Sequence, residues 1–393
     1  VTVLDAGPGE RAASHANAGW VVPSLAGPVP APGLVGTSIR WMLRPESPLY
    51  VRPRADPGFL RWLLGFWRRC NRRDHEAGFA AIGELGRQTL ALYDALRAAG
   101  VEFEEHRTGL VYGYRQRAAL EHDFAALGLL RPFGYRDIAL LDGAGLRELE
   151  PALVPGLAGG YWIERDRHLR PDSLVRGLRQ WLQRAGVEIR SQVTVTGFDH
   201  AGGRVRGLGT SDGVVPITDA VVVCAGVWTE PLLRRAGVRV PIEMGKGYSL
   251  DFVPAPVPEP VRHALYLHED RVAITPLNGR LRLAGTMELS GLNHRIEPRR
   301  VAAIRRAGAG FLRDWPEGAT PDTVWAGGRP LTPDGLPVIG LAPGFGNLAI
   351  ASGHAMLGVT LAPATGEAIA ELLTTGAAPA AIAPFRADRF VRR

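Results

Sequence analysis

Arg329 sits in residues 327–340, GGRPLTPDGLPVIG, ahead of Pro330 and Pro333. The two prolines hold the following backbone extended, so the guanidinium projects from a stiff support. A fork presented this way binds a carboxylate through two parallel hydrogen bonds, which fixes orientation as well as charge. The competing reading is a structural arginine on a surface loop. A second segment, 352–373 (SGHAMLGVTLAPATGEAIAELL), ends a strand at Ser352-Gly353 and starts a helix near Thr360, with Pro363 in its first turn. The free N–H groups there favour negative charge. Ala362, Ala364 and Gly366 are small enough to let a ring system lie on the helix. His354 either lies beside that ring or is a packed, satisfied histidine.

Asp5 closes residues 1–5 (VTVLD), which read as a strand. An acid at the end of the second strand of a dinucleotide fold accepts hydrogen bonds from the ribose hydroxyls. After a short strand, an acid is more often a plain turn residue. Ala6-Gly7-Pro8-Gly9 and Ser14-His15-Ala16-Asn17-Ala18-Gly19 follow, and such small residues let backbone approach a ligand closely. Cys224-Ala225-Gly226-Val227-Trp228 offers a second close turn at Gly226. Tyr248, in Gly245-Lys246-Gly247-Tyr248, and Tyr266 either line a pocket or pack in a sheet. Two isolated cysteines, Cys70 and Cys224, make no CxxC or metal spacing, and Cys224 reads as a small buried hydrophobe.

The elements that must position these residues are of two kinds. The apolar runs 220–225 (AVVVCA) and 348–351 (LAIA) read as strands covered on both faces, as in parallel sheets. Residues 171–185 read as a helix with Leu174, Val175, Leu178, Trp181 and Leu182 on one face, stopped at Gly186 and followed by a strand at 187–190. That rhythm suggests doubly wound units. In contrast, 271–276 and 280–284 read as a hairpin across Asn278-Gly279. Leu281 and Leu283 alternate with Arg280 and Arg282, giving one covered and one wet face. Residues 108–114 add another strand, and Val301, Ile304, Phe311 and Leu312 mark a helix face. The prediction is an α/β protein: a discontinuous nucleotide-binding domain (1–58, 150–238 and 325–393) carrying an inserted α+β antiparallel-sheet substrate domain (59–149 and 239–324).

A chain of 393 residues is long enough for two domains. The net charge of +7 comes from arginines spread along the chain, without a basic arm or nucleic-acid motif, so nucleic acid is not an expected partner. No apolar run reaches the length of a membrane span. Residues 59–70 (FLRWLLGFWRRC) are aromatic, apolar and basic: either an interfacial helix or a helix covering the core.

Together these segments resemble the FAD-dependent D-amino-acid dehydrogenase family and, more loosely, glycine and sarcosine oxidases. The resemblance rests on the RPxTPDGxPxIG-like stretch at Arg329, the KGYS strand at Tyr248, the Ser14–Gly19 stretch and the small-Ala-Gly-x-Trp turn. It implies a glutathione-reductase-like FAD domain. Asp5, Ser14, Asn17, Ala18, Gly19, Val193, Ala225, Gly226, Trp228, Gly353, His354, Gly358, Thr360 and Leu361 would hold FAD. Arg329 would hold the substrate carboxylate, with Tyr248, Tyr266 and His354 around it. The implied reaction moves a hydride from the substrate Cα to flavin N5, after which the imine hydrolyses to a 2-oxo acid and ammonia. This needs orientation more than a side-chain base. The resemblance further implies an electron acceptor such as quinone, a cytoplasmic location, and contact with the inner face of the membrane through 59–70.

The family begins with a strand and a GxGxxG turn about 20 residues ahead of the ribose-binding acid. Since that acid is Asp5, roughly 25–30 residues are expected ahead of Val1. Two alternatives stay open: an oxidase of glycine, sarcosine or cyclic imino acids, and a truncated, non-catalytic remnant.

Overall fold

The computed structural model describes residues 1–7, 12–34, 36, 47–136 and 138–391. The segments with buried-strand patterns form a layered α/β unit. Thr2–Asp5 runs parallel to Glu188–Ser191, with Asp5 opposite Ser191. Val221–Val223 runs parallel to Leu348–Ser352, whose other edge takes Val338–Leu341 antiparallel. Among the described residues Thr2–Asp5 and Val221–Val223 each keep one unpaired edge, and both strands line the same cleft. The helix Gly358–Thr375 packs Leu361, Ala364, Ala368, Ile369 and Leu372 into one core cluster with Ile339 and Ala349. A small antiparallel sheet, Val195–Ala201, Arg204–Thr210 and Gly213–Pro216, covers a neighbouring cluster.

The second unit is one long, largely antiparallel sheet. Its order is Thr323–Leu331, Glu243–Phe252, Arg280–Leu289, Val272–Leu277, Ala264–Leu267, Leu110–Tyr114, Gly159–Ile163, Ala139–Asp142. The hairpin turns at Asn278-Gly279, where Gly279 takes φ +73°. Strand alternation divides this sheet cleanly. The register partners Val111, Leu265, Ile274, Leu283 and Leu250 face a core closed by Ile304, Ala307 and Phe311 of the helix Pro298–Phe311. Each such buried side chain contributes about 1.5–3 kcal/mol. The adjacent row, Tyr112, Tyr266, Ala273, Ala284, Ser249 and Trp325, is also in register and faces the cleft.

Two segments expected in the nucleotide-binding part, 159–163 and 325–331, are hydrogen-bonded into this second sheet. Conversely, Ile82 and Leu85 of the helix Arg72–Gly86 pack against Leu361 of the first unit. The expected wet face of the hairpin is also corrected. Arg282 is 2% exposed, because Asp251 neutralises it through two hydrogen bonds of 2.6 and 2.8 Å.

Candidate active site

The cleft between the two units has a volume of about 2420 Å³. That exceeds the roughly 300–1,000 Å³ of an ordinary small-molecule pocket, so it has room for a large cofactor beside a substrate. Arg329 leaves its strand opposite Gly245 and crosses Gly247 on the neighbouring strand. A Cβ at Gly247 would lie 2.3 Å from Arg329 Nη1, so only glycine permits this crossing. Nη1 donates to the Thr286 carbonyl at 2.8 Å. The pairing shifts register between Lys246 and Tyr248, and Thr286 adopts φ +68° at that bulge. A bulge re-aims a backbone group, here the carbonyl that holds the guanidinium. No carboxylate pairs with Arg329 among the described residues. Burial therefore lowers its pKa to about 10, a shift that the nearby Tyr266 phenol opposes. A desolvated guanidinium without a counter-ion, open to a cleft, is built to receive an anion.

Beyond Arg329 the floor is flat, because Ala273 and Ala284 are cross-strand partners with only methyl groups to present. Tyr266 follows in the same row, edge-on to Trp20 with ring centroids 6.0 Å apart.

At the other end, the Asp5 carboxylate accepts from Gly7 N–H at 3.0 Å and lines the cleft beside Val193, whose N–H binds the Asp5 carbonyl. Pro8 and Gly9 lie outside the described residues. Asn17 braces the Ser14–Gly19 stretch by accepting from Gly19 N–H at 2.7 Å and donating to Ala13 O at 3.1 Å. Arg282 and Thr275 donate from the second sheet to the carbonyls of Asn17 and Ala18, each at 2.9 Å. Ala225, Gly226 (φ +54°) and Trp228 line the cleft, and Ser352 Oγ ties their turn down through Gly226 O at 3.1 Å. Gly353 (φ +78°), expected at the cofactor, packs against Thr332 and Pro337 instead of lining the cleft. Ala355 N–H donates to Pro330 O at 3.0 Å, joining this loop to the residue after Arg329. Gly358 and Val359, in the first helical turn, end the wall with amides that lack acceptors within the helix.

A ribose-height acid, two glycine turns and a helix N-terminus thus surround one elongated cavity. The profile of the family described as "FAD dependent oxidoreductase" matches residues 1–372. The chain belongs to the FAD-dependent oxidoreductase family. It is 35% identical over 388 residues to the D-amino acid dehydrogenase of Xanthobacter autotrophicus, covering 95% of this chain and 89% of that one. It is 33% identical over 394 residues to the enzyme of that name from Methylobacterium nodulans, covering 96% and 90%. Glycine oxidase from Geobacillus kaustophilus superposes with a TM-score of 0.71 at 26% identity, over 80% of this chain and 84% of that one. Iminodiacetate oxidase from a Chelativorans species superposes with a TM-score of 0.74 over 98% and 92%; at 21% identity it shows the shared fold alone.

The cleft fits FAD, but not every residue expected at it reaches it. Thr360 is 1% exposed, and its hydroxyl accepts from Val22 N–H at 3.1 Å and donates to Trp20 O at 3.2 Å. Leu361 is 1% exposed inside the core, and its N–H is spent on Leu357 O. Ala362 and Gly366 face away into solvent, and Ala364 packs in the core, so the helix would hold FAD through its first turn rather than through these small residues. Cys224 opens onto the cleft instead of being buried.

Tyr248 borders the cleft, but its ring packs with the core-facing row. Its hydroxyl donates to Glu288 at 2.6 Å, and Lys246 Nζ lies 3.0 Å from the same carboxylate. An even-odd count along the strand would have put Tyr248 opposite Ser249. His354 lines the cleft with Nε2 on Thr365 Oγ1 at 3.0 Å. Burial pushes its pKa down to about 4, so it is neutral at ordinary pH. The sequence reading missed Gly247 and Thr286, the pair that seats Arg329; the glycine in Lys246-Gly247-Tyr248 was the available signal.

Proposed function

We propose that this flavoenzyme oxidatively deaminates a D-amino acid to a 2-oxo acid and ammonia. The supporting observation is Arg329, a desolvated guanidinium with no carboxylate partner among the described residues, facing the cavity across the methyl floor of Ala273 and Ala284. The names of the related dehydrogenases supply the D-amino acid. When bound, FAD supplies a two-electron acceptor for the hydride leaving the substrate Cα. The chain's own residues orient and shield. Arg329 pins the carboxylate, Thr286 O fixes Arg329, and Tyr266 and Trp20 exclude water from the reacting carbon. Neutral His354 adds no charge there. Water then converts the released imine to the 2-oxo acid and ammonia. The test is anaerobic mixing of holoenzyme with D- and L-amino acids, followed by flavin absorbance. Bleaching by D but not L isomers supports the reading, and no bleaching by any D isomer rejects it.

A second reading is oxidation of glycine or a cyclic imino acid, favoured by the 26% identical glycine oxidase. Oxygen uptake exceeding reduction of an artificial acceptor separates it from a dehydrogenase. For the dehydrogenase we further propose a quinone acceptor and a cytoplasmic enzyme resting on the inner membrane face. The helix Pro57–Arg69 buries Phe59 and Trp62 but turns Leu60, Leu64 and Trp67 outward beside Arg61 and Arg68, a composition suited to an anionic lipid surface. Leu64→Ser with Trp67→Ser should abolish co-sedimentation with anionic vesicles; undiminished binding would remove the membrane from the scheme.

A further inference from the structure

The row that faces the cleft does not stop at Tyr266. Its next register partner is Tyr112, edge-on to Tyr266 with ring centroids 5.5 Å apart and stacked on Tyr161 at 4.4 Å. Tyr112 is only 5% exposed, it lines the cleft, and its hydroxyl has no hydrogen-bond partner among the described residues. A phenol hydroxyl that opens on a cleft and makes no bond within the described protein is available to a ligand. Two further cleft groups lie at this end, Asp123 and Arg271. Asp123 accepts from Tyr114 Oη at 2.9 Å and faces His268 Nδ1 at 2.9 Å, while Arg271 donates to Tyr266 Oη at 3.3 Å.

We infer that this chamber receives the substrate side chain, and that the preferred substrate carries a planar aromatic ring with a neutral polar tip, as in D-tyrosine. The inference rests on the reading of the site as one for D-amino acids. Three strand steps separate the strand that holds Arg329 through Thr286 from the strand of Tyr112, roughly 14 Å between backbones. The Tyr266 and Tyr112 side chains take up part of that span. A methyl group leaves the rest to water, whereas an aryl ring fills it and meets Tyr266 and Tyr112 in the edge-to-face geometry the walls already use. Charge selects the tip. Asp123 is already engaged by Tyr114 and His268, and Arg271 by Tyr266, so a charged tip would have to break one of these contacts to gain its counter-ion. A neutral hydroxyl meets the Tyr112 hydroxyl and can donate to Asp123.

The test compares holoenzyme and Tyr112→Phe, which keeps the ring and its stacking, on D-tyrosine, D-phenylalanine and D-alanine with an artificial acceptor. A parallel titration follows the flavin spectrum with 4-hydroxyphenylacetate, phenylacetate and acetate, which need no turnover. The expected result is kcat/KM for both aryl substrates above that for D-alanine. In Tyr112→Phe the D-tyrosine to D-phenylalanine ratio should fall about three- to tenfold, and the affinity ratio of the two arylacetates should fall with it. D-Alanine preferred over both aryl substrates, or ratios unmoved by the substitution, overturns the inference. If the arylacetates follow the expected order while no D-amino acid bleaches the flavin, the chamber stands and the deamination reading fails.

Discussion

Arg329 Nη1 occupies the place a side chain on residue 247 would need, since a Cβ there would come within 2.3 Å of it. The proposed anion site therefore depends on what Gly247 lacks as much as on what Arg329 provides.

Gly247→Ala should push the guanidinium off Thr286 O. The expected outcome is a raised KM for the amino acid with flavin binding retained. Arg329→Leu should cost about 2–5 kcal/mol in kcat/KM, the range for removing one partner of a buried charge pair. Turnover unchanged in either variant would show that the carboxylate binds elsewhere.

With its pKa lowered to about 10 by burial, Arg329 titrates earlier than a free arginine. Carboxylate affinity should be constant below that pH and weaken about tenfold per unit above it as the proton leaves. An inhibitor without an amine, such as phenylacetate, isolates this group from the substrate's own titration. A dissociation constant that stays flat through pH 11 would contradict the assignment.

Asp166 is fully buried, accepting from Ser24 and from Tyr135 Oη at 3.1 Å, and burial raises its pKa to about 7 despite both hydrogen bonds. The folded chain holds this proton more tightly than the unfolded chain does. The resulting stability is complete below the unfolded pKa near 4 and is lost as pH rises toward 7. Asp166→Asn should leave the unfolding free energy little changed at pH 4 and raise it at pH 8 by an amount on the order of 1–4 kcal/mol, followed by thermal denaturation at both pH values. A variant less stable than the parent at pH 8 would mean that the ionised carboxylate is well accommodated.

Arg282→Met removes the donor to Asn17 O and one of the two arginines on Asp251, leaving Arg280 Nη1 at 2.9 Å. Breaking a buried pair costs about 3–5 kcal/mol, and the remaining arginine should reduce that loss. Thermal denaturation should show the destabilisation, and flavin titration should show weaker binding because the Ser14–Gly19 stretch loses its brace. Lower stability with unchanged flavin affinity would confine Arg282 to the core.

Much of this arrangement was legible in the chain. Asn278-Gly279 announces the hairpin, and the prolines after Arg329 announce a rigid anchor. The residues that escaped did so for physical reasons. Tyr248 reads as a pocket residue from its motif and does border the cleft, yet its hydroxyl is spent on Glu288 rather than offered to a ligand. Arg282 reads as a wet residue until its partner Asp251, 31 positions away, is known. Tyr112 lies in an all-buried strand, so nothing local distinguishes its cleft face from its core face. Long-range pairing, rather than residue type, decided each of these.

The hydrogen bond from Ala355 N–H to Pro330 O joins the loop that opens the cofactor helix to the peptide following Arg329. With FAD at that helix and the substrate carboxylate on Arg329, as proposed, this main-chain bond would register electron acceptor and electron donor to each other. Side chains at the far end of the cleft can be exchanged to admit a different donor without altering where its reactive carbon stops. In such a scaffold new substrates come at the cost of a few side chains, while the alignment on which the rate depends is inherited unchanged.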